Sequence, residues 1–225
     1  MISFTWDWSY AIRVMPVLID GAMVTLKATA AGTVIAVFGG LLFALLRRSG
    51  NVFVSKSAGF FVEFIRSTPL LIQIYFVYYI LPEFGIRMTP FLTGVISLGL
   101  HFSSYMSEVY RAGIDGIPRG QWEAGISLGM TKLRIFKDII VPQAVPPVIP
   151  AMGNYVISMF KETPQLSAIT VLEMMQAAKI IGSEEFRYLE PVTMVGVIFL
   201  ALSLGAAYCI KLLSRKLPMQ GIPMK

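Results

Sequence analysis

The sequence predicts an all-α integral membrane protein with five transmembrane helices, on three observations. Hydrophobic residues make up 56% of the 225 and charged residues only 14%, whereas a soluble domain has about a quarter of its residues charged. The apolar residues come in blocks of about 20 or more, the length that crosses a bilayer as a helix. Lys and Arg gather on alternate loops, the signature of cytoplasmic loops in a membrane protein. The net charge of +6 follows from that bias. It implies no nucleic acid partner; the surroundings the composition calls for are a lipid bilayer.

The segments follow in order. Residues 1–21 read as an N-terminal segment on the outer side. MISFTWDWSY has no basic n-region and no small-residue cleavage pattern, so it is not read as a secretory signal. The membrane domain covers 22–213. Its first span, about Ala22 to Leu46, carries Gly32, Ala36 and Gly40, a spacing that lets helices approach closely. The second runs from about Ser57 to Leu81 and the third from about Pro90 to Tyr110. The fourth, about Ile139 to Phe160, is interrupted by Pro142, Pro146, Pro147 and Pro150. Proline removes helix donors, yet kinked helices survive in membranes when neighbours satisfy the freed carbonyls. An outer loop, 161–191, leads to the fifth span, about Val192 to Leu213. This span holds the single cysteine, Cys209, expected to be a buried small hydrophobe. Residues 214–225 form a tail.

The basic residues set the orientation. Arg47, Arg48, Lys56, Arg111, Arg119, Lys132, Arg134, Lys137, Lys211, Arg215, Lys216 and Lys225 fall on one side. Arg13, Arg87, Lys161, Lys179 and Arg187 fall on the other. The richer side is cytoplasmic, so the N-terminus lies outside and the C-terminus inside, as an odd number of spans requires.

The cytoplasmic segment 115–143 is the unusual one. In GQWEAGISLGMTKLRIFKDIIVPQ, Gly120 to Gln143, Pro118 suits the start of a helix and Gly129 a left-handed end. Thr131 then caps a second helix that climbs into the fourth span. Small residues Ala124, Gly125 and Ser127, the charge of Glu123 and the apolar Trp122, Ile126 and Leu128 fit a knob for a partner's groove. They equally fit an amphipathic helix lying on the membrane, and the pattern alone leaves both open.

Resemblance separates them. Glu123-Ala124-Gly125, Gly129 and Val141-Pro142 resemble the EAA motif of permease subunits of bacterial ATP-binding-cassette (ABC) importers, with Gly125 where the motif has Ala. EFIRSTPLLIQIYF (Glu63–Phe76), YMSEVYRAGIDGIPRGQWEAG (Tyr105–Gly125) and NYVISMFKETPQLSAITVLEMM (Asn154–Met175) are similar to segments of the polar amino acid branch, which transports glutamine, histidine and glutamate. The resemblance implies the type I importer permease fold and a place in the bacterial inner membrane. It makes the cytoplasmic segment a coupling helix, with Gln121, Glu123, Ala124, Gly125 and Gly129 facing a separate ATPase. It also implies the remaining partners: a pair of ATPase subunits holding ATP and magnesium, a second permease, and an extracytoplasmic solute-binding protein. This chain would hold no cofactor, and it contains no G-x-x-x-x-G-K-[ST] phosphate loop.

Polar residues within the spans are costly and call for reasons. Glu63 with Arg66, and Glu108 with Arg111, are spaced for structural ion pairs. Gln73, His101, Ser104, Tyr105, Asn154 and Lys161 offer the donors, acceptors and aromatic faces that a zwitterionic solute needs. Each could instead satisfy a neighbouring helix. Thr163-Pro164 replaces the branch's usual Thr-Ser or Ser-Ser and is similar to permeases for ectoine and hydroxyectoine. The alternative class is a channel or secondary transporter, which would need a carboxylate relay of its own. Glu63 and Glu108, both near cytoplasmic span ends, are the nearest the chain comes to one. With one histidine and one cysteine, most enzyme sites cannot be assembled.

Overall fold

The computed structural model describes residues 5–216; the end of the tail, with Lys225, lies outside the described residues. Those residues are helical, joined by short connections, with no strand among them.

Asp7 starts helix α1 (Trp8–Arg47). Its carboxylate accepts from the amides of Ser9 and Tyr10 at 2.9 and 3.2 Å, filling donors that a helix start leaves open. The helix runs for 40 residues, roughly 60 Å. The helix thus begins before residue 22, where the membrane domain is expected to start: Trp8 is already helical, and the helix continues through Pro16. Residues 161–191, expected as a loop, are also folded. A tight 3₁₀ turn, Thr163–Ile169, precedes α8 (Met174–Glu184), which packs on the first half of α1. Val14, Leu18 and Ala22 of α1 meet Met174, Ala177, Ala178 and Ile181 in one apolar cluster. Glu173 caps α8 from a fully buried position. Burial pushes its carboxyl up, and the Met175 and Gln176 amides, at 2.8 and 2.7 Å, oppose that. Glu190, also buried, accepts from the Asp7 amide at 3.0 Å and from Arg187 Nε at 2.9 Å. It clamps the start of α1 to the start of α9 (Leu189–Lys216).

The expected second span does not exist as one helix. α2 (Val52–Ser67) ends before Pro69, and α3 (Leu70–Tyr75), extended by a π turn (Phe76–Ile80) and a 3₁₀ turn (Leu81–Phe84), leaves at 105°. Proline disfavours helix in the residue before it, and Thr68 is extended, with φ −109° and ψ 138°. The break is not left open. Gln73 Nε2 lies 2.7 Å from Ile65 O, 3.1 Å from Thr68 O and 2.7 Å from Thr68 Oγ1. A side-chain amide thus stands in for the helix donors that the corner lost.

α4 (Pro90–Asp115) is the axis of the bundle. It packs on α1, α2, α3 and α7, and it buries Thr93, Ser97, His101, Ser103, Ser104 and Ser107. α1 approaches it along Ala28, Gly32, Ala36, Gly40 and Ala44, all buried. An added Cβ at Gly40 would stand 2.7 Å from Met106 Cβ, and one at Gly99 2.6 Å from Ile35 Cβ. The small-residue spacing therefore marks the α1–α4 seam. Three helical stretches, Trp8–Arg47, Lys132–Ile169 and Leu189–Lys216, are long and apolar enough to cross a bilayer, and the bent pair makes a fourth. α4, at 26 residues, is long enough to span but falls short in apolarity, because it faces other helices instead of lipid. The count of five is thus not reached on length and apolarity alone.

α7 (Val141–Glu162) stays helical through its prolines. Pro142 follows closely on the π turn Phe136–Ile140, so the helix passes the missing donor by a local change of winding and not by ending. Cys209 is exposed on α9 and not buried as expected.

The seam gives a direct test. Gly40→Ala and Gly99→Ala should each destabilise the protein by about 1–3 kcal/mol through overpacking. Gly205→Ala, inside α9 where no atom of a neighbouring element lies within 4 Å of the new Cβ, should instead leave thermal stability in detergent unchanged or raise it by up to about 1 kcal/mol.

Candidate functional site

The segment 115–143, expected on the cytoplasmic side, forms a short helix, α5 (Arg119–Ser127), followed by α6 (Lys132–Ile135), which runs through a π turn (Phe136–Ile140) into α7. Gly129 between them is left-handed, at φ +73°, as its sequence context predicts. Thr131 caps α6 through the Arg134 amide at 3.4 Å.

One side of α5 is locked. Trp122 turns inward and its ring lies 6.4 Å from that of Phe136. It joins a cluster of Ile114 of α4 and Ile117, just beyond that helix, with Ile135, Ile140 and Ala144. Gly125, expected on the surface, is buried: an added Cβ would meet Ile135 Cγ1 at 2.7 Å. This explains the glycine at an alanine position of the motif, since α5 and α6 touch there too closely for a methyl group. Gln121 Oε1 accepts from Gln143 Nε2 at 3.2 Å, and the same amide donates to Ile139 O at 2.8 Å. The two ends of the segment are therefore tied to each other. The other side of α5 is open. Glu123, Ala124 and Ser127 are exposed, as are Ile126 at 60% and Leu128 at 78%. An exposed apolar pair thus stands beside a carboxylate, on a helix braced against α4 and α7.

The two expected ion pairs are present but are parts of one cluster. Arg66 lies 3.6 Å from Glu63, and Arg111 3.5 Å from Glu108. Glu108 also takes Arg66 at 3.5 Å and Arg47, making one carboxylate of α4 the meeting point of cations from α1, α2 and α4. Arg48 and Asp115 close a further pair beside it. Sequence reasoning assigned Arg47 and Arg48 only to the charge bias of the loop. Their place at the end of a helix running beside α4 was the missed signal.

The residues proposed along a solute path divide into two groups. His101, 8% exposed, has Nδ1 3.1 Å from Gln73 Oε1. Its ring lies 5.2 Å from that of Tyr105, which is 5.5 Å from Tyr155. The Arg66 guanidinium sits 5.4 Å from the Tyr105 ring centre. Ser104 Oγ donates to His101 O at 2.6 Å, within its own helix. Asn154 and Lys161 are exposed on α7 and share no hydrogen bond or ring contact with this group. Thr163 is buried and donates from Oγ1 to Phe160 O at 2.8 Å, while Pro164 opens the 3₁₀ turn. The Thr-Pro variant therefore has a structural explanation that says nothing about the solute.

A bundle of apolar helices around a polar axis, with one braced helix presented beyond its end, is the architecture of a multi-pass membrane component. The chain matches, over residues 36–218, the family described as the binding-protein-dependent transport system inner membrane component, and it belongs to that family. It is 44% identical, over the full length of both chains, to a probable amino-acid ABC transporter permease protein, y4tG, of Sinorhizobium fredii. It is 31% identical to a putative glutamine transport system permease protein, GlnP, of Rickettsia felis, across 93% of this chain and 98% of that one. Its fold is similar to that of a chain in the crystal structure of an amino acid ABC transporter with histidines. There the TM-score is 0.91 and the identity 36%, over 95% of this chain and 100% of the other. The protein is an inner-membrane permease subunit of an ABC importer, a transport component that works with ATPase and binding-protein partners. ATP hydrolysis belongs to the ATPase partner.

The ion cluster yields a prediction. Glu108→Gln leaves cations from three helices without their shared carboxylate and should cost about 1–3 kcal/mol. Glu63→Gln, at the exposed rim, should cost less than about 0.5 kcal/mol in the same thermal-unfolding measurement.

Proposed function

We propose that this subunit pairs with a second permease to import a small polar amino acid, and that α5 is where ATP-driven closure of the ATPase subunits enters the membrane. The observation that carries the proposal is the asymmetry of α5. Trp122, Gly125 and Gln121 fix it to α4, α6 and α7, while Glu123, Ala124, Ile126 and Leu128 face outward. A helix held this way has no freedom to absorb a push. Movement of its outer face carries the ends of α4 and α7 with it, and those helices hold His101, Tyr105 and Tyr155. Alternating access needs such a two-state element, biased by ATP on the partner chains.

The solute class rests on the names borne by the similar proteins, which are amino-acid and glutamine permeases. It also rests on the chemistry around His101, with an amide, two phenol rings and a guanidinium close together. An ectoine-like solute would be taken by the same chemistry, and competition during uptake separates the two. In this reading ATP and magnesium sit on the ATPase chains, α5 faces the cytoplasm, the N-terminus lies outside, and two permeases flank the path. Asn154 and Lys161 remain candidates only for an outer approach to it.

Glu123→Lys tests the proposal. Uptake of labelled amino acid should fall by more than about tenfold, as expected when a reversed charge meets a fitted surface. The amount of protein in the membrane should stay unchanged, and an ATPase chain that co-purifies with the native protein should be lost. Native uptake by Glu123→Lys would overturn the assignment of α5.

A further inference from the structure

Where α1 turns into α2, a cationic cleft of about 390 Å³ opens beside the Glu108 cluster. Arg47, Arg48, Lys56 and Arg111 line it with a single carboxylate, Asp115. That carboxylate is already engaged by Arg48 and, at 4.0 Å, by Arg111. Lys56 is exposed and makes no ion pair or hydrogen bond among the described residues. The cleft thus holds more positive charge than its own chain neutralises.

A second cleft shares Lys56 and is mostly apolar, lined by Val52, Phe53, Phe60 and Phe61 with Ser57. Phe53 is 81% exposed and Phe60 75%. With Phe64, whose ring stacks on that of Phe60 at 6.4 Å, they form an aromatic strip along one face of α2. A soluble anion would fill the cationic cleft and leave the strip in contact with nothing. An apolar partner helix would cover the strip and leave the charge unanswered. A lipid with an anionic headgroup meets both needs, and the cleft lies at the end of a membrane-spanning helix, where headgroups are found.

We propose that the α1–α2 corner is a binding site for one anionic glycerophospholipid. Its phosphate lies among Lys56, Arg48 and Arg111, and its acyl chains run along Phe53 and Phe60. The assignment depends on the corner lying at a membrane surface and not on which surface that is, so it stands apart from the role given to α5.

The test is a lipid titration of the full-length protein, purified with whatever chains accompany it and stripped of lipid. Phosphatidylglycerol or phosphatidylcholine is added in mixed micelles, with retained lipid counted by native mass spectrometry and Tm recorded. Phosphatidylglycerol should be retained and raise Tm, and phosphatidylcholine should not. Lys56→Gln should weaken the phosphatidylglycerol response about fivefold, and Lys56→Arg should restore it. Inorganic phosphate should leave Tm unchanged. Equal retention of the two lipids, an unaltered Lys56→Gln response, or a phosphate effect matching that of the lipid would each overturn the proposal. So would cross-linking of two copies through Phe60→Cys, in a Cys209→Ser background saturated with lipid, since a second chain would then cover the strip.

Discussion

The fold depends on the close approach of α1 and α4. Gly32, Gly40 and Gly99 remove the side chains that would hold the two helices apart, and that contact encloses α4 on one side. Lipid gives no hydrophobic drive to helix pairing, so close packing has to supply it. Once α1, α2, α3 and α7 surround α4, it can keep Ser, Thr and His side chains at a depth where lipid would not tolerate them.

An enclosed polar axis also links the functional parts. Near its middle α4 presents His101 and Tyr105 to the corner that Gln73 holds together. One turn on, Glu108 gathers Arg47, Arg66 and Arg111 from three helices. At its end Ile114 and Ile117 pack under Trp122 of α5. The aromatic cluster, the charge cluster and the exposed helix are stations along one rigid element. A displacement at α5 therefore has a continuous packed route to His101, with no long loop to dissipate it.

Much of this was legible in the sequence. The fold class follows from the length of the apolar blocks, and α5 from Pro118, Gly129 and Thr131. The small-residue spacing on α1 marked a seam but not its partner. Other features were hidden for identifiable reasons. Ser57 to Leu81 has the composition of one span, and composition carries no sign of a 105° bend; Pro69 and the freed carbonyls answered by Gln73 were the local clue. α8 looked like loop because its burial against α1 is tertiary. Glu108 seemed to belong to one i,i+3 pair because the cations from α1 and α2 are distant in sequence. Gly125 seemed to weaken a helix, when it makes room for Ile135.

The central claim is that α5 moves as one body with α4 and α7. Spin labels on Leu128→Cys, the residue that ends α5, and Asn154→Cys of α7, in a Cys209→Ser background, report this by pulsed electron resonance on the assembled transporter. The account predicts that the distance between the two labels within one subunit stays constant on ATP addition, while the Leu128 positions of the paired permeases draw together. A change in the distance within the subunit, with α5 swinging on Gly129, would contradict it.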